Sequence, residues 1–340
     1  MNKITLGMLG GTPCTISDAA PNHSILITGI SGSGKTCYLQ RIELDAIQTK
    51  HLIIVLDTSH SHDVDRIYNP IRSDYEANCK RISVSQEGID LRLFSSESSP
   101  SQQPNRIIND VTQMIASSSN LGKRQTKMLR KAVASAYTNY TPGKNALQLI
   151  GSNLINLGSD GEDLYDRLWY IFQNDAALSG GSTFEKGNIN IIDFSDFDPD
   201  TQKIIAELVL KSIWNNKSSL LSGNQECLII LDECQRLYLG LNSMICQILR
   251  EGRKFGLNVI LATQSLSIFS KPTISMLEQA GTKLYFQPSQ SDLQRITKSL
   301  QQANQANWRQ TLTHLRRGEC VTDGILQVGK STIRRPLILT

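Results

Sequence analysis

The pattern Gly-x-x-x-x-Gly-Lys-Thr at residues 29–36 constrains the fold of this 340-residue chain more than any other feature. It directly follows the apolar run 24–28 and precedes residues 37–47, whose apolar side chains recur at helical spacing. A strand, a glycine-rich turn and a helix in this order build a loop whose backbone N–H groups and helix N-terminus face phosphate. The sequence therefore predicts a Walker A nucleotide site.

The motif assigns a chemical role to each of its fixed positions. Its glycines allow backbone angles and a close approach to phosphate that a Cβ would obstruct. Lys35 is predicted to reach the β- and γ-phosphates, and Thr36 to offer its hydroxyl to Mg²⁺. We expect the nucleotide to be bound by Gly29, Ile30, Ser31, Gly32, Ser33, Gly34, Lys35, Thr36 and Cys37.

Two adjacent acids follow a buried strand in the second half of the chain. Residues 227–231 are apolar, and Asp232 and Glu233 come directly after them, which is the Walker B arrangement with a neighbouring glutamate. Asp232, at the carboxyl end of the strand, is predicted to hold the Mg²⁺ shell together with Thr36. Glu233 is predicted to polarise the water that attacks the γ-phosphate. The second acid favours hydrolysis over transfer to a small acceptor.

A third polar strand end lies at Gln264, directly after another apolar strand. Because the carboxyl ends of parallel strands meet at one edge of a sheet, Gln264 is placed to contact the γ-phosphate or the attacking water. The cations Arg250, Arg253 and Lys254 lie upstream, at the end of a helical segment. They either complement the C-terminal helix dipole, or one of them is an arginine finger that reaches into a neighbour's site.

The alternation of apolar strands with helical segments predicts an α/β fold with a mostly parallel central sheet flanked by helices. The predicted strands are apolar on both faces and cover residues 25–28, 52–56, 189–192, 227–231, 259–262 and 283–286. Helices are predicted after Thr36 and over residues 201–216, 241–255 and 291–300, with Asp198 as the cap of the second.

The spacing between the two nucleotide motifs predicts a helical insertion. Residues 95–187 are more polar, and serine-rich joints separate their helical patterns. We therefore divide the chain into residues 1–94 with Walker A, the insertion 95–187, and residues 188–340 with Walker B. The alternating pattern around Asp323 and Gly324 predicts a closing β-hairpin near the end.

Composition narrows the class of protein only a little. The charge of +4 is mildly basic, and it is weak evidence by itself for nucleic-acid binding. Seven scattered cysteines without a C-x-x-C pair favour reduced thiols over a disulfide or zinc framework. No apolar run reaches the roughly 18–20 residues that a membrane-spanning helix needs, and no secretory signal is visible. We expect a cytoplasmic protein without a transmembrane segment.

Two further segments leave alternatives open. The loop with His60, His62 and Asp63 could chelate a metal, although solvated polar residues are the commoner explanation for such a loop. The cationic stretch 123–131 within the insertion is either a contact to DNA phosphates or a solvated helix face.

The order of these motifs resembles the HerA–FtsK superfamily of RecA-like motor ATPases, and it is most similar to HerA and the conjugation ATPases. The resemblance rests on four segments: G-I-S-G-S-G-K-T at 29–36, L-I-I-L-D-E at 228–233, I-L-R-E-G-R-K-F-G-L-N-V-I-L-A-T-Q-S at 248–265 and A-G-T-K-L-Y-F at 280–286. It implies a RecA-like ASCE P-loop NTPase fold, a hexameric ring and DNA threaded through the pore.

The resemblance also assigns individual residues. Lys35, Thr36, Asp232, Glu233 and Gln264 fall on the positions of the nucleotide site. Arg253 falls on the arginine finger that acts on the neighbouring subunit, and Arg250 is the alternative for that role.

We therefore predict a P-loop ATPase that hydrolyses ATP with Mg²⁺ and moves double-stranded DNA through a hexameric homo-oligomer. Its predicted catalytic residues are Lys35, Glu233, Arg253 and Gln264, and its predicted metal ligands are Thr36 and Asp232. Two other functions fit the same motifs. One is a regulatory ATPase that assembles with a nuclease or effector partner, and the other is a conjugation or secretion ATPase that acts on protein–DNA substrates.

Overall fold

The structure is a computed structural model, and it describes residues 4–49, 51–89, 91, 93–94, 104–141, 144–173, 183–216, 221, 226–301 and 307–340. The start of the predicted insertion, the serine-rich segment 95–101, lies outside the described residues.

Thirteen strands are assigned within these residues. They are β1 (Thr5–Leu9), β2 (Thr12–Ile16), β3 (Ile25–Thr28), β4 (Leu52–Asp57), β5 (Cys79–Ser83), β6 (Ile189–Asp193), β7 (Cys227–Leu231), β8 (Leu257–Thr263), β9 (Thr282–Tyr285), β10 (Cys320–Gly324), β11 (Leu326–Val328), β12 (Ser331–Ile333) and β13 (Leu337–Leu339). The larger sheet has nine strands in the order β13-β10-β9-β3-β8-β7-β4-β6-β5. Its strands from β9 to β5 are parallel, and β10 and β13 are antiparallel additions at one side.

Twelve α-helices accompany the strands in the described part of the chain. They are α1 (Lys35–Gln48), α2 (Arg72–Ala77), α3 (Pro104–Ser118), α4 (Lys123–Asn139), α5 (Ala146–Ile155), α6 (Ser159–Arg167), α7 (Trp169–Gln173), α8 (Pro199–Asn215), α9 (Met244–Glu251), α10 (Lys271–Leu277), α11 (Gln290–Gln301) and α12 (Trp308–Thr313). The predicted helix 241–255 is shorter as an α-helix, because a 3₁₀ turn, Gly252–Phe255, follows α9. Asp198 caps α8 by accepting bonds from the backbone nitrogens of Asp200 and Thr201.

The central strands are buried on both faces, as their composition predicts. In β4 all six residues are buried, and the five apolar ones alternate between two hydrophobic clusters on opposite sides of the sheet. Leu52, Ile54 and Leu56 face one cluster, whereas Ile53 and Val55 face the other. Each such side chain contributes about 1.5–3 kcal/mol of hydrophobic stabilisation on burial.

The described helices between β5 and β6, from α3 to α7, fall within the predicted insertion. Their apolar faces join the cluster that also holds α8 and α9, and α3 packs against α8. The insertion therefore shares its core with one face of the large sheet. Its boundaries at 95 and 187 stay a prediction.

A C-terminal hairpin is present, because β11 pairs antiparallel with β12 across Gly329 and Lys330, but the predicted turn at Asp323 and Gly324 is wrong. The strands on its two sides belong to different sheets, because β10 pairs with β9 and β13, whereas β11 pairs with β2 and β12. Together β1, β2, β11 and β12 form a separate four-stranded antiparallel sheet. Alternating apolar and polar residues predicted strands here correctly, but alternation contains no information on which partner a strand takes.

No described helix combines the length and the apolar character that a membrane span requires. The predicted cytoplasmic location stays a prediction. All seven cysteines are free thiols, and five of them are buried, which agrees with the reduced state expected from their spacing.

Candidate active site

Three of the sequence motifs meet at one edge of the large sheet. The strands β3, β8 and β7 are neighbours and run parallel, so their carboxyl ends lie side by side. The loop 29–36 follows β3, Gln264 follows β8, and Asp232 and Glu233 follow β7. Ligands bind at this edge in open parallel sheets.

The loop after β3 has the geometry of a phosphate cradle. Gly32 and Gly34 have φ angles of 78° and 105°, in the left-handed region that favours glycine. A Cβ on Gly29 would lie 2.6 Å from the Cβ of Phe286, so this position admits no side chain. A Cβ on Gly32 would meet nothing within 4 Å, so the space beside this residue is open. Glycine-rich turns of this kind bind the phosphates of a nucleotide through their backbone N–H groups.

Lys35 lies over this loop rather than in solvent. Its Nζ donates hydrogen bonds to the carbonyl oxygens of Gly29, at 2.7 Å, and of Ile30, at 3.0 Å. Burial lowers the pKa of Lys35, and the nearby carboxylates of Glu233 and Asp232 raise it in part. The ammonium group is therefore held at the loop by its own carbonyls, within reach of a phosphate bound there.

Thr36 and Asp232 supply the oxygen atoms that a Mg²⁺ ion prefers. The hydroxyl of Thr36 donates to Oδ2 of Asp232 at 3.0 Å, although the two residues lie 196 positions apart in the chain. Burial raises the pKa of Asp232, which is 2% exposed, so its charged form lacks water around it. A divalent cation beside this hard oxygen pair would stabilise the carboxylate. The pair therefore fits the predicted metal site.

Glu233 has a backbone conformation that is uncommon for a residue with a side chain. Its φ is 55°, in the left-handed region, directly after β7. Gln264 donates from Nε2 to both carboxylate oxygens of Glu233, at 2.8 and 2.9 Å, and Gln235 donates to Oε2 of the same carboxylate. Two amides thus orient the acid that we expect to polarise water, and backbone strain of this kind clusters at functional sites.

Gln235 is a site residue that the sequence motifs did not indicate. It lies in the 3₁₀ turn Cys234–Arg236, and its amide reaches back to Glu233. The available signal was its place two residues after the acid pair, but a polar residue in a turn is too common to identify a contact.

The structure separates Arg253 from the other predicted catalytic residues. Arg253 is exposed and precedes the amino end of β8, whereas Gln264 follows its carboxyl end. Seven strand residues span about 23 Å, so Arg253 lies at the opposite edge of the sheet. Its guanidinium donates to the carbonyl oxygen of Pro21. Arg250 donates to the carbonyl oxygens of Cys246, at 3.3 Å, and Leu241, at 3.1 Å, within its own subunit.

The loop after β4 contains a buried histidine. His62 is 1% exposed, and its nitrogens face Oε1 of Glu43, at 3.1 Å, and Oδ2 of Asp57, at 3.6 Å. Burial alone would lower the pKa of His62, but the two carboxylates raise it well above its ordinary value. The expectation of a solvated polar residue is wrong for His62, which links α1 to the loop.

The neighbouring polar groups of this loop form an ion-pair network. His60, Asp63 and Asp193 place three potential ligand atoms within 4.8 Å of one another. Arg81 lies 3.2 Å from Asp63 and 3.7 Å from Asp193, so a guanidinium already compensates both carboxylates. This network explains the cluster without a metal ion.

Comparisons with known proteins agree with the fold and with the motifs. A family model described as Zonular occludens toxin (Zot) matches residues 172–285. The structure of VirB4 of Thermoanaerobacter pseudethanolicus is similar with a TM-score of 0.69 and 16% identity, over 98% of this chain and 95% of that one. No curated protein matches the sequence.

The plasmid coupling protein TrwB is a second structural relative. Its complex with the non-hydrolysable ATP analogue ADPNP is similar with a TM-score of 0.66 and 13% identity, over 100% of this chain and 89% of that one. Its complex with ADP and Mg²⁺ gives a TM-score of 0.64, also at 13% identity and with the same coverage of both chains.

The fold is therefore that of the RecA-like P-loop ATPases, and the predicted α/β class is confirmed. The Zot match and this fold agree with the resemblance to the HerA–FtsK superfamily that the order of the motifs predicts. The expected cofactors, ATP and Mg²⁺, agree with the ligands of the TrwB complexes and with the donor groups at the loop.

Proposed function

We propose that this protein hydrolyses ATP with Mg²⁺ and uses the cycle to move double-stranded DNA through a ring of identical subunits, six in number. The observation that carries the proposal is the arrangement of Glu233. Its carboxylate is oriented by Gln264 on the strand next to it, beside the Thr36–Asp232 pair and the phosphate loop. A base that is oriented in this way, beside residues that fit Mg²⁺, can activate water for attack on a γ-phosphate.

The position of Arg253 supports assembly into a ring. This exposed guanidinium lies at the far edge of the sheet from its own Glu233, because β8 with a length of about 23 Å separates the two edges, so an arginine finger at this position would act on the site of another copy. An arginine supplied by a neighbouring subunit makes hydrolysis depend on assembly. This dependence allows the subunits of a ring to hydrolyse ATP one after another.

The insertion offers a surface for DNA. In α4 the side chains of Lys123, Lys127, Arg130 and Lys131 are exposed and recur at helical spacing, so they share a face. Arg124, by contrast, is paired with Asp160. An exposed row of cations suits contact with the phosphate backbone, which is insensitive to sequence and weakens with salt.

A conjugation or secretion ATPase is the second candidate function, and the structural similarity to VirB4 and TrwB favours it. In that case the substrate would be a protein–DNA complex rather than naked duplex. The regulatory ATPase with a nuclease or effector partner has no comparable support among the described residues.

ATP turnover with and without duplex DNA tests the proposal. We expect turnover that requires Mg²⁺ and rises several-fold with linear duplex DNA, with less stimulation as the salt concentration increases. Turnover that duplex DNA leaves unchanged, while a protein–DNA complex stimulates it, would favour the second candidate. Absence of any turnover under all of these conditions would contradict both.

A further inference from the structure

A turn near the end of the chain lies directly against the phosphate loop. Residues 316–319 precede β10, which runs antiparallel to β9, and β9 is the parallel neighbour of β3. The amino end of β10 therefore lies at the carboxyl edge of β9 and β3, where the phosphate loop begins. The sequence pattern predicted strands here but did not place this turn.

Contacts between the two segments are close. The backbone nitrogen of Gly318 donates to the carbonyl oxygen of Ser33 at 3.0 Å. A methyl group on Gly34 would lie 3.0 Å from the nitrogen of Gly318 and 3.8 Å from Cγ of Arg317. Gly318 has a φ of 91°, and the backbone nitrogen of Arg316 donates to the carboxylate of Glu319 at 2.8 Å, which closes the turn. The stem of Arg317 is therefore fixed beside the last glycine of the loop.

The charge of Arg317 is not paired with an acidic group in the described part of the chain. Its side chain is exposed, and it makes no hydrogen bond or ion pair with any described residue. A guanidinium matches the geometry of phosphate oxygens, to which it donates paired hydrogen bonds. Beyond Cγ the side chain of Arg317 is flexible, and rotation about its remaining bonds can bring the guanidinium to a phosphate bound beside Gly34.

We propose that Arg317 is a phosphate ligand for the nucleotide bound in its own subunit. It complements Lys35, which approaches the same phosphates from inside the loop. The inference rests on the proposed ATPase function and adds to it a second cation, held in place by the bond between Gly318 and Ser33. Arg253 remains the cation that a neighbour supplies.

Equilibrium binding of the fluorescent nucleotides mant-ATP, mant-ADP and mant-AMP tests this proposal. We expect Arg317→Ala to weaken mant-ATP binding by about 10- to 100-fold, the range for a hydrogen bond to a charged group, and to change mant-AMP binding much less. Arg317→Lys should recover part of the loss, because it restores charge but not the paired geometry. Arg309→Ala removes an exposed arginine of α12, and this variant should bind mant-ATP with the affinity of the parent protein.

Thermal unfolding shows whether Arg317→Ala is folded, and the lysine variant provides the comparison if the alanine variant is not. Unchanged mant-ATP affinity in Arg317→Ala, or an equal loss in Arg309→Ala, would overturn the role of Arg317 alone. Failure of the parent protein to bind mant-ATP with Mg²⁺ would overturn the proposed function, and this inference with it.

Discussion

Gln264 donates hydrogen bonds to both carboxylate oxygens of Glu233, at 2.8 and 2.9 Å, from the end of the adjacent strand. The two residues are 31 positions apart in the chain, and the parallel pairing of β7 with β8 brings them together. A residue that contacts the base from a neighbouring strand can change the orientation of that base when nucleotide binds. The pair therefore joins the carboxyl ends of β7 and β8 at the candidate site.

Glu233→Gln should retain nucleotide and lose turnover. The amide keeps the size of the side chain and an acceptor for Gln264, but it cannot take a proton from water, so we expect kcat to fall by about 100- to 10,000-fold. Mant-ATP binding should stay within a few-fold of the parent. Glu162→Gln, in the exposed surface of the insertion, is the control. Turnover that persists in Glu233→Gln would show that Glu233 is not the base.

Gln264→Ala should lower kcat and leave the KM for ATP nearly unchanged. It removes two hydrogen bonds to a charged group, so the base loses its orientation while Lys35 and the phosphate loop are intact. We expect a loss of about tenfold or more in steady-state kcat. Gln301→Ala changes an exposed glutamine at the end of α11 and controls for the substitution itself. A raised KM with parental kcat would assign Gln264 to substrate binding instead.

Glu207 makes stability depend on pH. It is 2% exposed, its Oε2 accepts a hydrogen bond from the backbone nitrogen of Met244 at 2.9 Å, and burial raises its pKa to about 8, an effect that Met244 and Lys211 reduce in part. Between its ordinary pKa of 4.5 and about 8, the folded state binds more protons than the unfolded state. Stability from this group is therefore complete below pH 4.5 and is lost as the pH rises toward 8.

The neutral variant Glu207→Gln removes this dependence. Its free energy of unfolding should diverge from that of the parent by about 1 kcal/mol for each pH unit between 5 and 8, with the variant more stable at the higher pH. Urea unfolding at several pH values measures the difference. Glu251→Gln, on the exposed end of α9, is the control, and its free energy of unfolding should change with pH as that of the parent does. Parallel curves for Glu207→Gln would mean that Glu207 is charged in the folded protein.

Arg253 should act on the site of a neighbour. Arg253→Ala subunits and Glu233→Gln subunits should each be inactive alone. Mixed assemblies contain interfaces in which an intact Glu233 meets an intact Arg253, so we expect turnover to recover in the mixture. Mixing Arg253→Ala with the double variant Arg253→Ala/Glu233→Gln is the control and should recover nothing. No recovery in the first mixture would refute the trans role of Arg253.

The strands of the central sheet could be predicted because each is apolar on both faces and ends at a polar residue. The prediction for residues 227–231 coincides with β7, and that for 259–262 lies within β8. β5 escaped prediction because it is the edge strand and contains Lys80 and Arg81, whose charges hide its pattern. The four-stranded sheet was not predicted, because its strands come from both ends of the chain. Local sequence patterns contain no information on pairing between segments so far apart in the sequence.

The residues of the candidate site could be proposed from the sequence, but their arrangement could not. Motif spacing identified Lys35, Thr36, Asp232 and Glu233, whose types follow from phosphate and Mg²⁺ chemistry. The bonds from Gln264 and Gln235 to Glu233 depend on side-chain directions at two strand ends, which spacing does not contain. The contact of the 316–319 turn with the phosphate loop depends on strand order, which only the fold provides.

The mass of the assembly in solution tests the central claim, an ATP-dependent ring on DNA, most directly. It should be measured for the parent protein with a non-hydrolysable ATP analogue and Mg²⁺, with and without duplex DNA longer than the ring. We predict a species of six copies of the 37.8-kDa chain that requires nucleotide and is stabilised by duplex DNA. A protein that binds the analogue and remains a monomer at high concentration, with DNA present or absent, would contradict the account.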